Sequence, residues 1–364
     1  MSNISNSLTI QALQKFKKNF WGVFSFWIII IIGLISVFAY VIAPDSSQNA
    51  NQMHLTIHSK KPGFKVKMLT IPSTIENNQS VFSKLFYGYK NTETEIPITD
   101  FEIENNTLFY TEYASDGLIG MQKTINLNNF PNKDYKKHIE TRTFLFGTDK
   151  YGRDYLSRIL IGSRISFFIG FIAVFISLII GISLGSIAGY FGGKIDALIM
   201  WIINITWSIP TLLLVIAITL ALGKGYWQVF IAVGLTMWVE VARVVRGQII
   251  SVKEMQYVTA ARALGFNDTR IIIKHILPNI MAPVIVISAA NFAAAILIES
   301  GLSFLGIGAQ PPMASWGGMI KDHYNYIILG KPYLAIIPGF CIMILVMAFM
   351  LIGNALRDAL DVKN

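Results

Sequence analysis

The sequence predicts an all-α polytopic membrane protein of about six transmembrane helices, with a small β-rich extracytoplasmic insertion between the first two. Three observations predict it. Of 364 residues, 53% are hydrophobic and only 14% charged, with a mean hydropathy of +0.53, whereas a soluble domain carries about 25% charged residues. Apolar segments long enough to cross a hydrocarbon core of roughly 30 Å recur along the chain. The stretch after the first of them is instead rich in Asn, Lys, Thr and Glu, with strand-like alternation. A net charge of +9 in such a chain reads as anchoring to a cytoplasmic face and anionic lipid, not as nucleic-acid binding. The single cysteine, Cys341, excludes an intrachain disulfide and a metal site built on cysteines.

Residues 1–20 read as a polar cytoplasmic segment ending in Lys15, Lys17 and Lys18. Residues 21–43 follow, about 23 residues of almost wholly apolar sequence. This is too long for a signal-peptide core and is predicted to be an uncleaved first helix, ended by Pro44. Residues 44–143 form the insertion, roughly 100 residues, near the lower size for independent folding. Phe64–Met68 and Phe101–Glu104 alternate, and Asn105-Asn106 makes a turn before Leu108–Tyr110. His54 and His58 are spaced to share one face of a strand, too far apart to hold one ion and without a third ligand.

Residues 144–356 read as a core with five further spans. The core opens with Gly147-Thr148-Asp149, then Gly152-Arg153-Asp154, then Arg158 and Arg164. Locally this is a tight turn at Gly147, a cap from Thr148 or Asp149, and an amphipathic helix whose arginines would meet lipid headgroups. The spans follow at 165–188, 195–222, 227–245, 279–305 and 333–352. Gly170, Gly181, Gly185 and Gly189 suit close helix contact in the first of these. Pro210 lies inside the second, beside Asn204, Thr206 and Ser208. Glu240 and Glu299 both fall near span ends, so Glu299 needs a partner at the outer interface, with Arg158 or Arg164 as candidates. After Glu299, Gly306, Pro311-Pro312 and Trp316 end the helix and fold the chain back as a rigid cap. Residues 357–364 are a short polar cytoplasmic tail. The N-terminal segment, the tail and the stretch 246–278 hold most Lys and Arg of the short loops, which places both termini in the cytoplasm. Lys224, Lys321 and Lys331 fall on the other side, as do Arg153, Arg158 and Arg164.

The polar island at 246–278 organises the rest. Thr259, Ala260, Ala261, Arg262, Ala263 and Leu264 favour a short helix, and Gly265 suits the left-handed position beyond its end. Asn267 or Asp268 can cap a second helix carrying Ile271, Ile272, Lys274 and His275, which runs to Ile276, Leu277 and Pro278. A basic helix–turn–helix on one side of a bilayer is a docking surface for something soluble; its plainer reading is an ordinary cytoplasmic loop.

The pattern Ala260-Ala261, Gly265, Ile276-Leu277-Pro278 resembles the "EAA" loop of bacterial ABC importer permeases. The family's leading acid is Thr259 here, so this chain has no carboxylate for an ion pair at that point. The stretch 147–164 resembles the "GTDxxGRD…SR…G(S/A)R" signature of the oligopeptide, dipeptide and nickel branch, and 302–317 resembles its "LSFLGLG…PP…SWG" loop. The likeness covers 21–43 loosely and 144–360 closely, but not most of the insertion. It implies the ABC importer permease fold in a bacterial inner membrane and alternating access driven by a separate ATPase docked at Thr259, Ala260, Ala261, Arg262, Leu264, Gly265, Ile276 and Pro278. It also implies a second homologous permease, two cytoplasmic ATPases and an extracytoplasmic substrate-binding protein as partners, with membrane lipid around the spans. ATP and Mg would sit in the ATPases and no cofactor in this chain. Peptide import is the substrate class implied, with nickel or another small solute as the alternative.

The chain shows no nucleophile–base pair or HExxH motif. Residues 189–194 fail as a phosphate loop: Ala188 takes the first glycine position and Ile195 the place of the Ser or Thr that binds magnesium. An ATP-independent secondary transporter would predict inverted repeats and midplane ionisable residues. A receptor or anchor would predict a large cytoplasmic signalling domain. Neither expectation is met by the sequence.

Overall fold

The structure is a computed structural model and describes residues 8–73, 79–90, 92–115, 118, 120–131, 134–223 and 225–360. Lys224 and the last four residues of the tail lie outside this set. The chain divides into two compact units. One holds Met1–Gly33, Ile165–Gln310 and Gly339–Asn364, and the other Leu34–Arg164 and Pro311–Pro338.

The chain begins with α1 (Leu8–Lys18), α2 (Phe20–Val37) and the single turn α3 (Ala39–Ile42). The second unit then builds one antiparallel sheet from β1 (Phe64–Ile71), β2 (Thr94–Glu104), β3 (Thr107–Glu112), β4 (Gln122–Asn126) and β5 (Ile139–Phe144). The helix α4 (Val81–Tyr87) interrupts β1 and β2. Strand order is β4-β3-β2-β1-β5. The β2–β3 hairpin turns at Asn105 and Asn106, both at positive φ, the conformation a two-residue hairpin loop requires and Asn tolerates. Successive side chains of β1 point to opposite faces. Leu69 packs with Ile98, Leu108, Tyr110 and Phe130, while Val66 and Met68 pack with Ile57 and Phe144 on the other side. His54 and His58 are not strand residues. They flank a 3₁₀ turn at Leu55–Ile57, because Gly63 and the start of β1 come only later. His54 is buried, 3.7 Å from Glu95, which also makes a bidentate pair with Arg142.

The helices of the core follow: α5 (Tyr155–Phe191), α6 (Gly193–Ser208), α7 (Thr211–Leu222), α8 (Tyr226–Val252), α9 (Gln256–Ala263), α10 (Asp268–Arg270), α11 (Met281–Leu305), α12 (Trp316–His323) and α13 (Tyr333–Leu360). Five helical stretches are long and apolar enough to cross a membrane: α2, α5, α8, the run Asp268–Leu305 and α13. The second predicted span is longer than its apolar part, since α5 takes in the signature residues from Tyr155 onward.

The third predicted span is built from two helices, α6 and α7, that meet at 93° and together are long and apolar enough to count as a sixth, broken span. Pro210 cannot supply a backbone N–H and pushes Ile209 to extended backbone. Thr206 and Ser208 donate back to the carbonyls of Ile202 and Ile205, at 2.9 and 2.7 Å, so the end of α6 is closed by its own hydroxyls.

In the first unit α5 and α8 touch along a stripe of small residues. A Cβ on Gly181 would lie 2.5 Å from Val241 Cβ, and one on Gly185 2.5 Å from the Ala242 carbonyl. Backbone approach this close is available only where small residues recur every fourth position.

Candidate functional site

The island is held from beneath and open above. Val258 and Ala261 of α9, with Ile271, Ile276 and Ile280, pack into one buried cluster with Val241, Val245 and Ile249 of α8 and Tyr190 of α5. Their spacing leaves Thr259, Ala260, Arg262, Ala263, Leu264 and Gly265 on the exposed side, and Leu264 is 72% exposed. The turn between the helices is a Schellman closure: Phe266 N donates to Ala261 O at 3.2 Å and Gly265 N to Arg262 O at 2.9 Å. Gly265 has φ +75°, and a Cβ there would meet nothing within 4 Å. The glycine therefore answers a backbone demand and not a lack of space. Thr259 Oγ1 lies 3.5 Å from the Met255 carbonyl, one turn back in its own helix.

The second helix is not the separate element predicted. Asn267 caps it, accepting from Arg270 N at 3.0 Å. A π-helical turn at Ile271–Ile276 and a 3₁₀ turn at Leu277–Ile280, with Pro278 in its first residues, then feed α11 directly. The island's second helix is thus continuous with a stretch long and apolar enough to span, Asp268–Leu305. At the other end α8 continues to Val252, so the start of 246–278 is still spanning helix, tied to α6 by a bidentate Arg246–Asp196 pair.

Sequence reasoning missed Tyr190 and the aromatic packing of the turn. Tyr190 donates its hydroxyl to Asp268 at 2.6 Å, and its ring lies 5.4 Å from the Arg262 guanidinium. Phe266 stacks on His275 with ring centroids 5.6 Å apart, and Arg270 covers Phe266 at 4.0 Å. The Tyr190–Asp268 contact crosses 78 residues of sequence, so spacing alone could not reveal it. Phe266, Arg270 and His275 instead lie within ten residues, close enough to be legible as a local cluster.

The signature at 147–164 is a buried polar knot in the second unit. Asp149 is fully buried and accepts from Tyr151 N at 2.8 Å, Arg153 N at 3.0 Å and Arg153 Nε at 2.6 Å. Arg158 lies 3.8 Å from the same carboxylate and donates to the carbonyls of Asn49 and Pro312. Only 4% exposed, it does not reach a lipid headgroup, contrary to the amphipathic reading. Thr148 receives Lys60 N at 2.8 Å and donates to Ile57 O at 2.5 Å. Gly147 and Gly152 both have positive φ, and a Cβ on Gly152 would overlap the His54 carbonyl at 1.8 Å. The cap of α5 is Asp154, not Thr148 or Asp149: its carboxylate accepts Ser157 N at 2.8 Å and also the Ser157 hydroxyl. Burial pushes the Asp154 carboxyl above its ordinary value, with the Ser157 bonds opposing.

Trp316 anchors the cap residues of this unit, donating Nε1 to the Ile159 carbonyl at 2.9 Å. Pro311 precedes it in the same unit. In the first unit, Gly306 closes α11 at φ +82°. Glu299 is buried and accepts Ser303 Oγ at 2.7 Å, with Ser166 Oγ at 3.5 Å. These hydroxyls come from one turn further along α11 and from α5. Within the second unit, Arg158 sits with Asp149, and Arg164 donates to Phe86 O at 2.7 Å with its guanidinium over Tyr40. Glu240 lies near the middle of the 27-residue α8, about 20 Å of helix from either end, because the helix runs on past the predicted span end at 245 to Val252.

Two family models match this chain. Residues 181–363 match the binding-protein-dependent transport system inner membrane component, and residues 7–62 match the N-terminal transmembrane domain of oligopeptide transport permease C. The dipeptide transport system permease protein DppC of Alkalihalophilus pseudofirmus is 45% identical over 218 residues, 60% of this chain and 71% of that one. The oligopeptide transport system permease protein OppC of Bacillus subtilis is 40% identical over 240 residues, 66% of this chain and 76% of that one. The glutathione transport system permease protein GsiD of Pectobacterium atrosepticum is 40% identical over 217 residues, 60% and 72% of the two chains. The chain belongs to the family of binding-protein-dependent transport system inner membrane components. It is a multi-pass permease subunit of the ABC importer class whose motifs it carries.

Proposed function

We propose that this permease imports small peptides, and that its island at 246–278 docks a separate cytoplasmic ATPase. The observation that carries the reading is the island itself. Its apolar face is fixed on α8 and α5, its opposite face is exposed around Arg262 and Leu264, and its second helix is continuous with α11. A rigid ridge of this kind transmits a push from a soluble partner into a span. The relatives described above transport dipeptides, oligopeptides and glutathione, which supports a peptide as cargo.

Residues 189–194 lack the first glycine and the Ser or Thr of a phosphate loop, and ATP and Mg are assigned to two partner ATPases. A second homologous permease completes the path, and a substrate-binding protein delivers cargo from outside. Both termini and the island face the cytoplasm, and the sheet of 64–144 faces out. ATP binding draws the ATPases together, the docked ridges move, and the spans open outward. No nucleotide or metal chemistry is assigned to residues of this chain.

Replacing Gly265 tests the coupling. Proline cannot adopt φ +75° and removes the N–H that closes the turn, and Asp strains the same backbone. Gly265→Pro and Gly265→Asp are expected to abolish uptake while membrane insertion is retained. Wild-type uptake in either variant contradicts the coupling role. Deleting the sheet is expected to leave ATPase assembly intact; loss of the complex would assign the sheet an assembly role instead.

A further inference from the structure

The first unit contains a cleft at the bend between α6 and α7, lined by Thr206, Trp207, Thr211, Thr236 and Glu240, with Ile298 of α11 on its far side. Glu240 is exposed there, near the middle of α8. An ionisable side chain within a spanning helix is costly and normally paired, or else it faces a wet path. No hydrogen bond or ion pair within the described residues engages this carboxylate.

The cation one turn further along the same helix would be its ordinary partner at i, i+3. Arg243 is held elsewhere: its guanidinium lies 3.6 Å from the Trp207 ring centroid, and Nη2 donates to Asn204 Oδ1 at 2.8 Å. Trp207 and Asn204 both belong to α6, so the bend that forms the cleft also keeps Arg243 off Glu240.

The hydroxyls beside it add a second constraint. Thr206 donates to Ile202 O and Thr236 to Val233 O, each at 2.9 Å. Their protons are committed to their own helices, which leaves the oxygens as acceptors. A carboxylate with acceptor oxygens beside it matches a group that carries only donors and a positive charge. An alkylammonium, with three N–H donors and no acceptor, has that character; a carboxylate or phosphate does not.

We propose that Glu240 and the threonine oxygens of this cleft form a recognition point for the primary ammonium group of the transported substrate. The proposal rests on the peptide reading above, since a peptide with a free N-terminus carries such a group. It assigns the cleft a role in cargo selection distinct from the ATPase-docking ridge.

The test uses the assembled complex, with its binding protein, in proteoliposomes. Uptake of a dipeptide with a free N-terminal ammonium is compared for wild-type, Glu240→Gln and Glu240→Asp, with ATP hydrolysis measured in the same vesicles. Glu240→Gln is expected to lower uptake tenfold or more while ATP hydrolysis stays within twofold of wild-type, and Glu240→Asp to restore part of the loss. Wild-type uptake by Glu240→Gln overturns the proposal. So does a parallel loss of uptake and hydrolysis, which marks a structural role. A wild-type complex that hydrolyses ATP but takes up no dipeptide overturns the peptide reading instead. The cleft is then decided by carbodiimide labelling of Glu240, read by mass spectrometry with and without ethylammonium. Protection supports the ammonium site, and labelling unchanged by ethylammonium overturns it.

Discussion

In the stretch 147–164 the side chains of Asp149, Arg153, Asp154 and Arg158 are buried, and in the island 259–278 the charged side chains point outward. Asp149 and Arg158 are almost inaccessible; Asp149 is met by Tyr151, Arg153 and Arg158 close by in sequence, and Arg158 also reaches the distant carbonyls of Asn49 and Pro312. Arg262, Leu264 and Lys274 are exposed, and only their small or apolar neighbours are buried. Both stretches carry equally recognisable motifs. The difference teaches that a strong signature can record two opposite demands. The first stretch fixes a helix start by satisfying buried charges. The second fixes a backbone shape and leaves its side chains free for another molecule.

The largest expected effect breaks the inward region. Asp149→Asn leaves Arg153 and Arg158 buried without their shared carboxylate. Removing one partner of a buried charge network costs about 3–5 kcal/mol. A sharp fall in the melting temperature of the detergent-purified chain is predicted; an unchanged melting profile would show that the knot is not what holds the start of α5.

Acid should also act on the histidines that flank the inward region, where Lys150 N donates to His323 Nε2 at 3.3 Å and His54 N to Tyr151 O at 3.1 Å. Burial lowers the His54 and His323 imidazoles below their ordinary value. A histidine held neutral in the fold stabilises above its unfolded value, roughly pH 6.5, and that contribution is lost as pH falls through the lower folded value. Asp154, raised by burial, acts in the opposite sense, losing its contribution as pH rises. The double variant His54→Gln, His323→Gln should therefore lose less stability than wild-type between pH 7 and pH 5. Parallel melting curves for the two proteins across that range would contradict this assignment.

The smallest stability effect is expected at the outward region. Leu264→Ala removes a side chain that touches little of its own chain, so its stability should change within about 0.5 kcal/mol. A shift several times larger would mean that Leu264 packs against this chain and is not presented to a partner.

Much of this was legible in the sequence because it is local. Hydropathy marked the spans, alternation marked β1 and the β2–β3 hairpin, Asn105-Asn106 marked its turn, and Gly265 marked the left-handed end of α9. What could not be read depends on contacts across the chain. Pro210 was visible inside the span 195–222, but the 93° bend it makes between α6 and α7 was not. Thr148 and Asp149 looked like caps, yet both are consumed by residues 51–60 and by the arginines, leaving Asp154 to cap α5. Glu240 looked terminal because Arg243 and Arg246 dilute the apolar run. Each arginine in fact has a partner on α6, which lets α8 continue to Val252 and brings Glu240 to its middle.

The most direct test of the central claim, that the exposed ridge is where the ATPase docks, is co-purification in mild detergent. The tagged chain is isolated as wild-type, Leu264→Glu and Gly265→Asp, and the proteins that accompany it are quantified by mass spectrometry. The account predicts that wild-type brings down a second permease and ATPase subunits, and that both variants retain the permease but lose the ATPase. Retention of the ATPase at wild-type level by both variants would contradict it.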